Sequence, residues 1–413
     1  MSGGTIFRAL SPTFVVTSLI GVLIAGGVSA GTPPGAAQIK HVVFILKENH
    51  TFDNYFGTFP GADGVTSGLI HTGKSVRLGP SPNFFTEDIG HSFGDALLGM
   101  DNGKMDKFDL IPGALQRGRL ANYTQFKQSQ IPNYWALATR FVVADEFFTS
   151  VHGPSFPNHL FTIAAQSGQA IENPDTGGAW GCDSGPQATV EAIDPSGKHF
   201  FESPCFDFPT VADSMNDANL TWRYYTASPK QGGFQWCEFD AIKHIRNGPQ
   251  WKTNVRYLNK FAKDIARGDL ANMTWITTDG QESEHPKQGG SCAGENSSVK
   301  IIDAIMNSPM WSSTVIFISW DDFGGFYDHV PPPQLDLLGL GPRVPLLIIS
   351  PFVKSGYIEH QQLEFSSVVK FIEEVFGLPF LTARDTNSND MFDAFDFSDE
   401  PLAPMPMRMR RCH

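Results

Sequence analysis

The sequence predicts an α/β fold in which a central, mostly parallel sheet carries helices on both faces. The first observation is a set of short, continuous apolar runs rich in β-branched and aromatic residues, which are typical of strands buried on both faces. The second is that helix-like stretches separate these runs, because strand alternating with helix favours a parallel sheet. The apolar runs span residues 41–49, 140–148, 272–280, 313–322 and 344–351, and the helix-like stretches span residues 156–166, 296–308 and 364–376.

The N-terminal residues have the pattern of a secretory signal peptide. Arg8 precedes an apolar stretch at residues 14–28, and small residues follow as far as Ala30. A basic start, an apolar centre and a small-residue cleavage site are the marks of such a segment. We therefore expect residues 1–30 to be removed and the mature protein to be secreted or periplasmic. An uncleaved N-terminal membrane anchor is the alternative interpretation.

The charge of the chain argues against nucleic acid as a partner. Among its 413 residues, 43 are acidic and 30 are basic, which gives a formal net charge of -13. A protein that binds a polyanion usually presents a basic surface instead. Acidic residues of this number could still gather around a metal ion.

Polar residues follow several of the apolar runs. In open parallel sheets, ligands bind beyond the carboxyl ends of the strands, which is where these residues would lie. Glu48 and Asn49 close the first run, and Asp321 and Asp322 close the fourth. Adjacent carboxylates repel each other unless a positive charge lies between them. We therefore predict a divalent cation held by these carboxylates, with Asn49 supplying an oxygen or an amide donor; Ca, Mg and Mn are all compatible. Two other runs lead to Asp145 and Glu146, and to Asp279 and Glu282.

A candidate nucleophile precedes the helix-like stretch at residues 156–166. Gly153 and Pro154 predict a turn before Ser155, and Pro157 suits the first turn of a helix. Ser155 would then lie near backbone N–H groups and the positive end of the helix dipole, which bind phosphate or sulfate. An N-cap serine without a catalytic role is the alternative.

Five motifs follow one another along the chain: KENHTFDNYFG (47–57), HGPSFPNH (152–159), ESEHP (282–286), WDDFGGFYDHVPPP (320–333) and GPRVPLLIISPFV (341–353). In this order they resemble the phosphoesterase family, which contains bacterial phosphatidylcholine-preferring phospholipases C, plant non-specific phospholipases C and related acid phosphatases. The resemblance extends from about residue 40 to about residue 380. It implies an alkaline-phosphatase-like α/β sandwich.

The resemblance also assigns roles to individual residues. It implies that Ser155 is the nucleophile and that the Glu-Asn and Asp-Asp pairs surround the active centre. His285 matches the histidine of the Glu-His-Pro motif, and His91 resembles the histidine upstream of the nucleophile. His285, His91 or His329 would protonate the leaving group. His329 could instead brace its loop through Asp328 or the backbone.

This chain departs from the phospholipases at three positions. Ser155 replaces their usual Thr, His159 replaces the Arg after Pro-Asn, and Asp322 replaces a Glu. Ser155 and the Asp-Asp pair resemble the acid-phosphatase side of the family. We therefore predict that either phospholipids or small phosphomonoesters are the substrates. The serine nucleophile implies a phosphoseryl intermediate, and a phospholipid substrate implies transient contact with a membrane surface. A sulfatase-like hydrolase on the same fold is an alternative that the missing Arg disfavours. An exported binding protein without catalysis is another. The spacing of His159 does not decide between a surface and a core position.

The same resemblance suggests a division of the chain. We expect residues 31–385 to form the catalytic domain, with an insert or cap of loops at about 168–270. Residues 386–413 would form a tail, either an extended strap or a mobile end. The exported compartment permits disulfides, and four cysteines could form two bridges, which would leave Cys412 free. These four are Cys182, Cys205, Cys237 and Cys292.

Overall fold

The computed structural model describes Met1, residues 31–176 and residues 178–412. The predicted signal peptide, apart from Met1, lies outside the described residues and stays a prediction. Among the described residues, no helix combines the length and the apolar character that crossing a bilayer requires.

The strands and helices follow each other along the chain in α/β fashion. The strands are β1 (His41–Lys47), β2 (Ser67–Leu69), β3 (Ser75–Arg77), β4 (Gly79–Pro80), β5 (Leu115–Gln116), β6 (Arg119–Leu120), β7 (Thr124–Gln125), β8 (Val142–Ala144), β9 (Phe147–Phe148), β10 (Val190–Ile193), β11 (His199–Glu202), β12 (Trp222–Thr226), β13 (Val255–Tyr257), β14 (Met273–Thr277), β15 (Thr314–Trp320), β16 (Leu346–Ile349), β17 (Tyr357–Glu359) and β18 (Leu363–Glu364). The helices are α1 (Phe52–Phe56), α2 (Phe93–Met100), α3 (Pro132–Arg140), α4 (Ser155–Ala164), α5 (Val211–Asp217), α6 (Lys243–Arg246), α7 (Pro249–Asn254), α8 (Phe261–Ala266), α9 (Ser291–Met306), α10 (Phe365–Phe376) and α11 (Ala383–Asn387).

In the described part of the chain, eight strands form the central sheet in the order β13-β12-β14-β1-β15-β16-β8-β17. Each of the five predicted apolar runs contributes a strand to it. All neighbouring pairs are parallel except the two that involve β16. The prediction of a mostly parallel α/β sheet is therefore confirmed. Because β16 runs the opposite way, its carboxyl end lies at the other edge of the sheet, and the run at 344–351 delivers no residue to the site described below.

Helices cover both faces of this sheet. Phe317 of β15 packs against Phe371 of α10, with 5.1 Å between the ring centroids. Trp320 lies three residues further along the strand, so it points to the opposite face. There it packs against Tyr134 of α3, with 5.3 Å between the centroids. α4, which begins at Ser155, packs on α10.

The cysteines pair differently from the expectation. Cys182 is bonded to Cys205, and Cys292 at the start of α9 is bonded to Cys412. The expectation of a free Cys412 is wrong, and the free cysteine is Cys237, which is buried. The sequence could not decide this, because the partners Cys292 and Cys412 are 120 residues apart and only the fold brings them together.

The C-terminal tail lies against the body of the protein as an extended strap. Arg410 forms an ion pair with Glu295 of α9 at 2.8 Å. Trp311 Nε1 donates a hydrogen bond to the carbonyl oxygen of Leu402 at 3.2 Å. These contacts place the described part of the tail against the body, and the division of the chain into a catalytic domain and a tail stays a prediction.

We expect replacement of Cys412 by serine to lower the free energy of unfolding by about 2–5 kcal/mol, because the closed loop no longer restricts the unfolded chain. Urea unfolding at neutral pH would measure the loss. The matched variant Cys182→Ser opens a loop of only 23 residues. In the chain-entropy model, Cys182→Ser should lower the free energy of unfolding by about 1.5 kcal/mol less than Cys412→Ser does. Two or more reactive thiols in the unfolded, unreduced wild type would contradict this pairing.

A buried acid lies where α10 meets α11. Neither carboxyl oxygen of Glu373 has a hydrogen-bond partner among the described residues. Burial, followed by the negative charge of Asp385, raises the pKa of Glu373 to about 10. Glu373 therefore carries a proton in the folded protein at neutral pH, whereas the same group is ionised in the unfolded chain.

This acid should make the protein less stable as the pH rises from about 5 to about 9. The folded pKa is above the unfolded value, so the stabilisation is complete at low pH and is lost as the pH approaches the folded pKa. The variant Glu373→Gln should show a flatter dependence of its free energy of unfolding on pH over that window. An unchanged slope in this variant would contradict the assignment.

Candidate active site

Ser155 occupies the first turn of α4 and faces carboxylates. Pro154 takes the N-cap position, so the Ser155 side chain is not used to cap the helix. Its Oγ lies 3.2 Å from Glu48 Oε2 and 3.3 Å from Asp322 Oδ2, within hydrogen-bond distance of both. Ser155 is only 1% exposed. The environment differs from that of an ordinary N-cap serine, whose hydroxyl would bond to the helix backbone.

The two acidic strand ends meet because β1 and β15 are neighbours in the sheet. Lys47 is aligned with Trp320, so the residues that follow each strand emerge side by side. The backbone N–H of Asn49 donates to Asp321 Oδ1 at 2.8 Å. Asn49 adopts a left-handed backbone with φ of 62°. A Cβ added at Gly324 would lie 2.5 Å from the Asn49 carbonyl oxygen, which explains why this loop needs glycine there.

His159 is the central cation of the site. Its Nε2 lies 3.1 Å from Glu48 Oε1 and 3.2 Å from Asp321 Oδ2, and its Nδ1 lies 2.8 Å from Glu238 Oε1. Burial alone would lower the pKa of His159, but the charges of Glu48 and Glu238 outweigh it and raise that pKa well above 6.5. Sequence reasoning left this histidine undecided. The signal that could have found it is that His159 lies four positions after Ser155. Residues four apart share one face of a helix.

The pKa values of the carboxyl groups in the site are shifted in different directions. Burial opposes ionisation of Asp321, but the His159 ring holds its pKa at about 2. Burial, followed by the charge of Asp321, raises the pKa values of Glu48 and Asp322 well above their usual range. The site therefore holds more buried acid than its histidines can neutralise.

His91 and His285 lie together beside Asn49. His91 Nε2 is 3.2 Å from Asn49 Nδ2, and the two imidazole rings are 5.7 Å apart. Although burial opposes it, Asp322 and Asp88 raise the pKa of His91 to about 9. Burial lowers the pKa of His285, and the charge of His91 acts in the same direction. The charges around the pair thus favour protonation of His91 over protonation of His285.

The residues fit a divalent cation. Asn49 Oδ1 is a buried oxygen without a hydrogen-bond partner in the described part of the chain, and Asp321 Oδ2 has no partner there besides its ion pair with His159. Ligand atoms of Glu48, His159 and Asp321 lie within 4.8 Å of one another. If Glu48, Glu238, Asp321 and Asp322 were all ionised, their negative charge would exceed the charge of a protonated His159 and a protonated His91. A cation that prefers oxygen ligands would balance this excess.

His329 lies in a different cluster. Its Nδ1 is 2.7 Å from Asp53 Oδ2, and its Nε2 is 3.3 Å from Asp63 Oδ1. The fully buried Arg343 pairs with Asp328 at 2.9 Å in the same cluster. The structure does not bring His329 to Ser155, and its contacts favour the bracing role. The cluster is Asp53, Asp63, Asp328, His329 and Arg343, which we call the Arg343 cluster.

The remaining strand-end acids also lie away from Ser155. Arg343 Nη1 donates to the carbonyl oxygen of Asp145 at 2.6 Å and lies 3.9 Å from Glu146 Oε1, which places this pair beside the Arg343 cluster. Asp279 accepts hydrogen bonds from backbone N–H groups of its own loop. Glu282 Oε2 accepts from Ser297 of α9 at 2.7 Å. These acids fix loops and do not join the candidate site.

Sequence reasoning also missed a buried acid next to His285. Glu284 accepts hydrogen bonds from the Tyr134 hydroxyl at 2.6 Å and from Trp320 Nε1 at 3.1 Å, and it also accepts from Tyr55. Its Oε1 is 3.5 Å from Lys47 Nζ. Glu284 has a positive φ of 76°, and these side-chain contacts hold it there. Glu284 therefore fixes the backbone position from which His285 projects.

Comparison with known proteins identifies relatives over most of the chain. The Phosphoesterase family model matches residues 39–379. The non-hemolytic phospholipase C of Pseudomonas aeruginosa is 25% identical, over 89% of this chain and 59% of its own length. Phospholipase C A of Mycobacterium tuberculosis is 25% identical, over 91% of this chain and 81% of its own length. The chain thus spans less than two thirds of the Pseudomonas relative.

One solved structure that this fold resembles is a protein in the alkaline phosphatase superfamily from Vibrio parahaemolyticus. The alignment covers 89% of this chain and 74% of that chain, with 10% sequence identity and a TM-score of 0.43.

A divalent cation should stabilise the protein, since it would bind the folded site and not the unfolded chain. At a concentration about 100 times its dissociation constant, we expect about 2.7 kcal/mol of added stability. Thermal unfolding with Ca, Mg or Mn, and with a chelator, would measure the shift.

Two matched variants would locate the ion. Asp321→Asn should lose most of the cation-dependent shift. Asp328→Asn should lower the unfolding temperature but keep the shift, because Arg343 already neutralises that cluster. A shift that survives in Asp321→Asn, or disappears in Asp328→Asn, would contradict the proposed location.

Proposed function

The chain belongs to the Phosphoesterase family, and we propose that it hydrolyses phosphoric esters with Ser155 as the nucleophile. The observation that carries this proposal is the position of Ser155 Oγ, within 3.2 and 3.3 Å of two carboxylates at the carboxyl ends of β1 and β15. A hydroxyl becomes a competent nucleophile when a neighbouring base can accept its proton. Glu48 and Asp322 are the candidate bases, and the one that is ionised would accept the proton.

In the proposed first step, Ser155 Oγ forms a bond to phosphorus while the bond from phosphorus to the leaving oxygen breaks. The serine proton passes to Glu48 or Asp322. The product of this step is a phosphoseryl group, and attack by water then restores the serine and releases the phosphate or phosphomonoester. A divalent cation held by the carboxylates of the two strand ends would supply Lewis-acid stabilisation of the phosphoryl oxygens.

The remaining groups would stabilise charge and move protons. Asn49 Nδ2 and the two imidazoles lie next to each other, so they can face the phosphoryl oxygens together. His91 and His285 can give a proton to the leaving alkoxide and later accept one from the attacking water. The backbone N–H of Phe156 already donates to Asn173 Oδ1 at 2.9 Å, so we do not include it among the donors to substrate.

The proposed substrates are phospholipids, as the names of the phospholipase C relatives suggest. Small phosphomonoesters are the second candidate, because Ser155 and the Asp321-Asp322 pair resemble the acid-phosphatase side of the family. We propose that the protein is exported, on the pattern of residues 1–30. His159 stands where a sulfatase would carry arginine, which disfavours sulfate esters as substrates.

Ser155→Ala should reduce turnover by on the order of 10³-fold or more, because it removes the nucleophile while leaving the fold intact. Release of p-nitrophenol from p-nitrophenyl phosphate and from its phosphocholine ester would measure this, with and without chelator. Comparison of the two esters would also separate monoester from diester preference.

The matched control is Ser297→Ala, which removes a buried hydroxyl of α9 that bonds to Glu282. This variant should retain turnover. Unchanged turnover in a folded Ser155→Ala protein would refute the serine mechanism. Sulfate release from p-nitrophenyl sulfate at a comparable rate would favour the sulfatase alternative.

A further inference from the structure

A surface depression adjoins the candidate site at His91. The cavity has a volume of about 420 Å³, and Pro154, the residue before Ser155, forms part of its wall. Asp95 of α2 and the pair Pro112 and Gly113 line the same cavity. Ser155 itself is almost fully buried and does not line this cavity, so His91 and Pro154 are the residues through which the cavity adjoins the candidate site. We call the surface around this cavity the mouth.

A β-hairpin stands at the edge of the mouth. β5 and β6 pair Leu115 with Leu120 and Gln116 with Arg119. Arg117 and Gly118 both have positive φ, of 52° and 75°, which is the geometry of a tight two-residue hairpin turn. No heavy atom lies within 4 Å of the position that a Cβ on Gly118 would take. The turn therefore projects into open space.

The base of the hairpin is fixed to the mouth. Gln116 Nε2 donates to the carbonyl oxygen of Glu87 at 3.3 Å. The backbone N–H of Gly90 donates to the carbonyl oxygen of Pro112 at 2.7 Å. An external surface that contacts the hairpin would therefore also lie at the edge of the cavity.

Exposed leucines lie on the chain segments that contribute to the mouth. Leu115 is 67% exposed, and Leu97 and Leu110 are 45% and 44% exposed. Leu97 is two residues from Asp95, and Leu110 is two residues from Pro112, so both are close in the chain to residues that line the mouth. Single exposed apolar residues are common on soluble proteins. Three of them on the segments that frame one cavity call for a partner surface.

The hairpin turn is also basic, in contrast to the rest of the chain. The protein has a formal net charge of -13. Arg117 and Arg119 are exposed, and neither takes part in an ion pair among the described residues. An apolar side chain flanked by unpaired cations is the combination that binds the interface of an anionic lipid layer.

We propose that the β5–β6 hairpin docks the protein on a lipid surface that contains anionic headgroups. Leu115 would enter the boundary between headgroups and acyl chains, and Arg117 and Arg119 would contact lipid phosphates. Leu97 and Leu110 would extend the contact along the rim. This inference deepens the proposed function, because docking here would hold the mouth against the layer in which phospholipid substrates lie.

Vesicle co-sedimentation tests the docking without any need for catalysis. The full chain should bind vesicles of phosphatidylcholine with phosphatidylserine more tightly than vesicles of phosphatidylcholine alone. Leu115→Ser should weaken binding by about tenfold, since it removes one buried apolar side chain. Arg117→Ala combined with Arg119→Ala should weaken binding to the anionic vesicles by on the order of 20-fold, and added salt should reduce this difference.

Phe201→Ser provides a matched control. Phe201 is 68% exposed, similar to Leu115, and it lies on the separate β10–β11 hairpin. This variant should bind vesicles as the wild type does. Equal losses in Phe201→Ser and Leu115→Ser would overturn the proposal, because the effect would then reflect general surface hydrophobicity. Unchanged binding in the hairpin variants would also overturn it.

Two further outcomes are distinguishable. If the hairpin variants change the oligomeric state in the absence of vesicles while vesicle binding stays unaltered, the occupant of this surface is a second copy of the chain, and lipid docking is refuted. If the wild type binds vesicles through the hairpin but hydrolyses no phosphoester, the docking stands and the proposed function fails. Where both hold, the hairpin variants should lose turnover of vesicle phospholipid more strongly than turnover of p-nitrophenyl phosphate.

Discussion

The organisation of the candidate site follows from the repulsion among carboxylates that the fold buries around one serine. Glu48, Asp321, Asp322 and Glu238 are all nearly inaccessible to solvent. Four such groups cannot all ionise in a medium of low dielectric constant without compensating charge. His159 lies between three of them and supplies part of that charge. The balance must come from protons or from a cation, which makes this edge of the sheet suited to binding ions and phosphate together.

The Arg343 cluster shows how the same fold handles buried acids when no ligand is needed. Asp53 and Asp328 are as deeply buried as the acids at Ser155. There the compensating charge is covalently part of the chain, because the Arg343 guanidinium pairs with Asp328 and lies 3.7 Å from Asp53. An arginine is always charged and fills its place permanently. We therefore regard the Arg343 cluster as a structural support, and the site at Ser155, with its uncompensated acids, as the place for chemistry.

The sequence predicted the central strands, the principal helices and acidic residues at the strand ends, because these depend on local apolar periodicity and on a general property of parallel sheets. That two of these strand ends surround one centre with Ser155 was implied by the family resemblance. It could not predict the direction of β16, because parallel and antiparallel strands buried on both faces have the same composition. It also could not rank the acids, since Asp145, Asp279 and Asp321 all follow apolar runs and only the order of strands separates them. Glu238 lies in the stretch where the motifs are weakest, and no local pattern marks it.

The Cys292–Cys412 bond has a consequence for how the molecule would respond to force. It closes a covalent ring, and the two cysteines that form it are 120 residues apart in the sequence. The ring contains β15, Asp321 and Asp322, whereas β1 and Ser155 lie outside it. A pull applied between β1 and Cys412 could separate β1 from its neighbours, but it could not stretch the chain inside the ring. About 400 Å of potential extension, at roughly 3.4 Å per residue, is thereby withheld from the chain. The loop that carries Asp321 and Asp322 would stay closed, while Ser155 and β1 with Glu48 were drawn away.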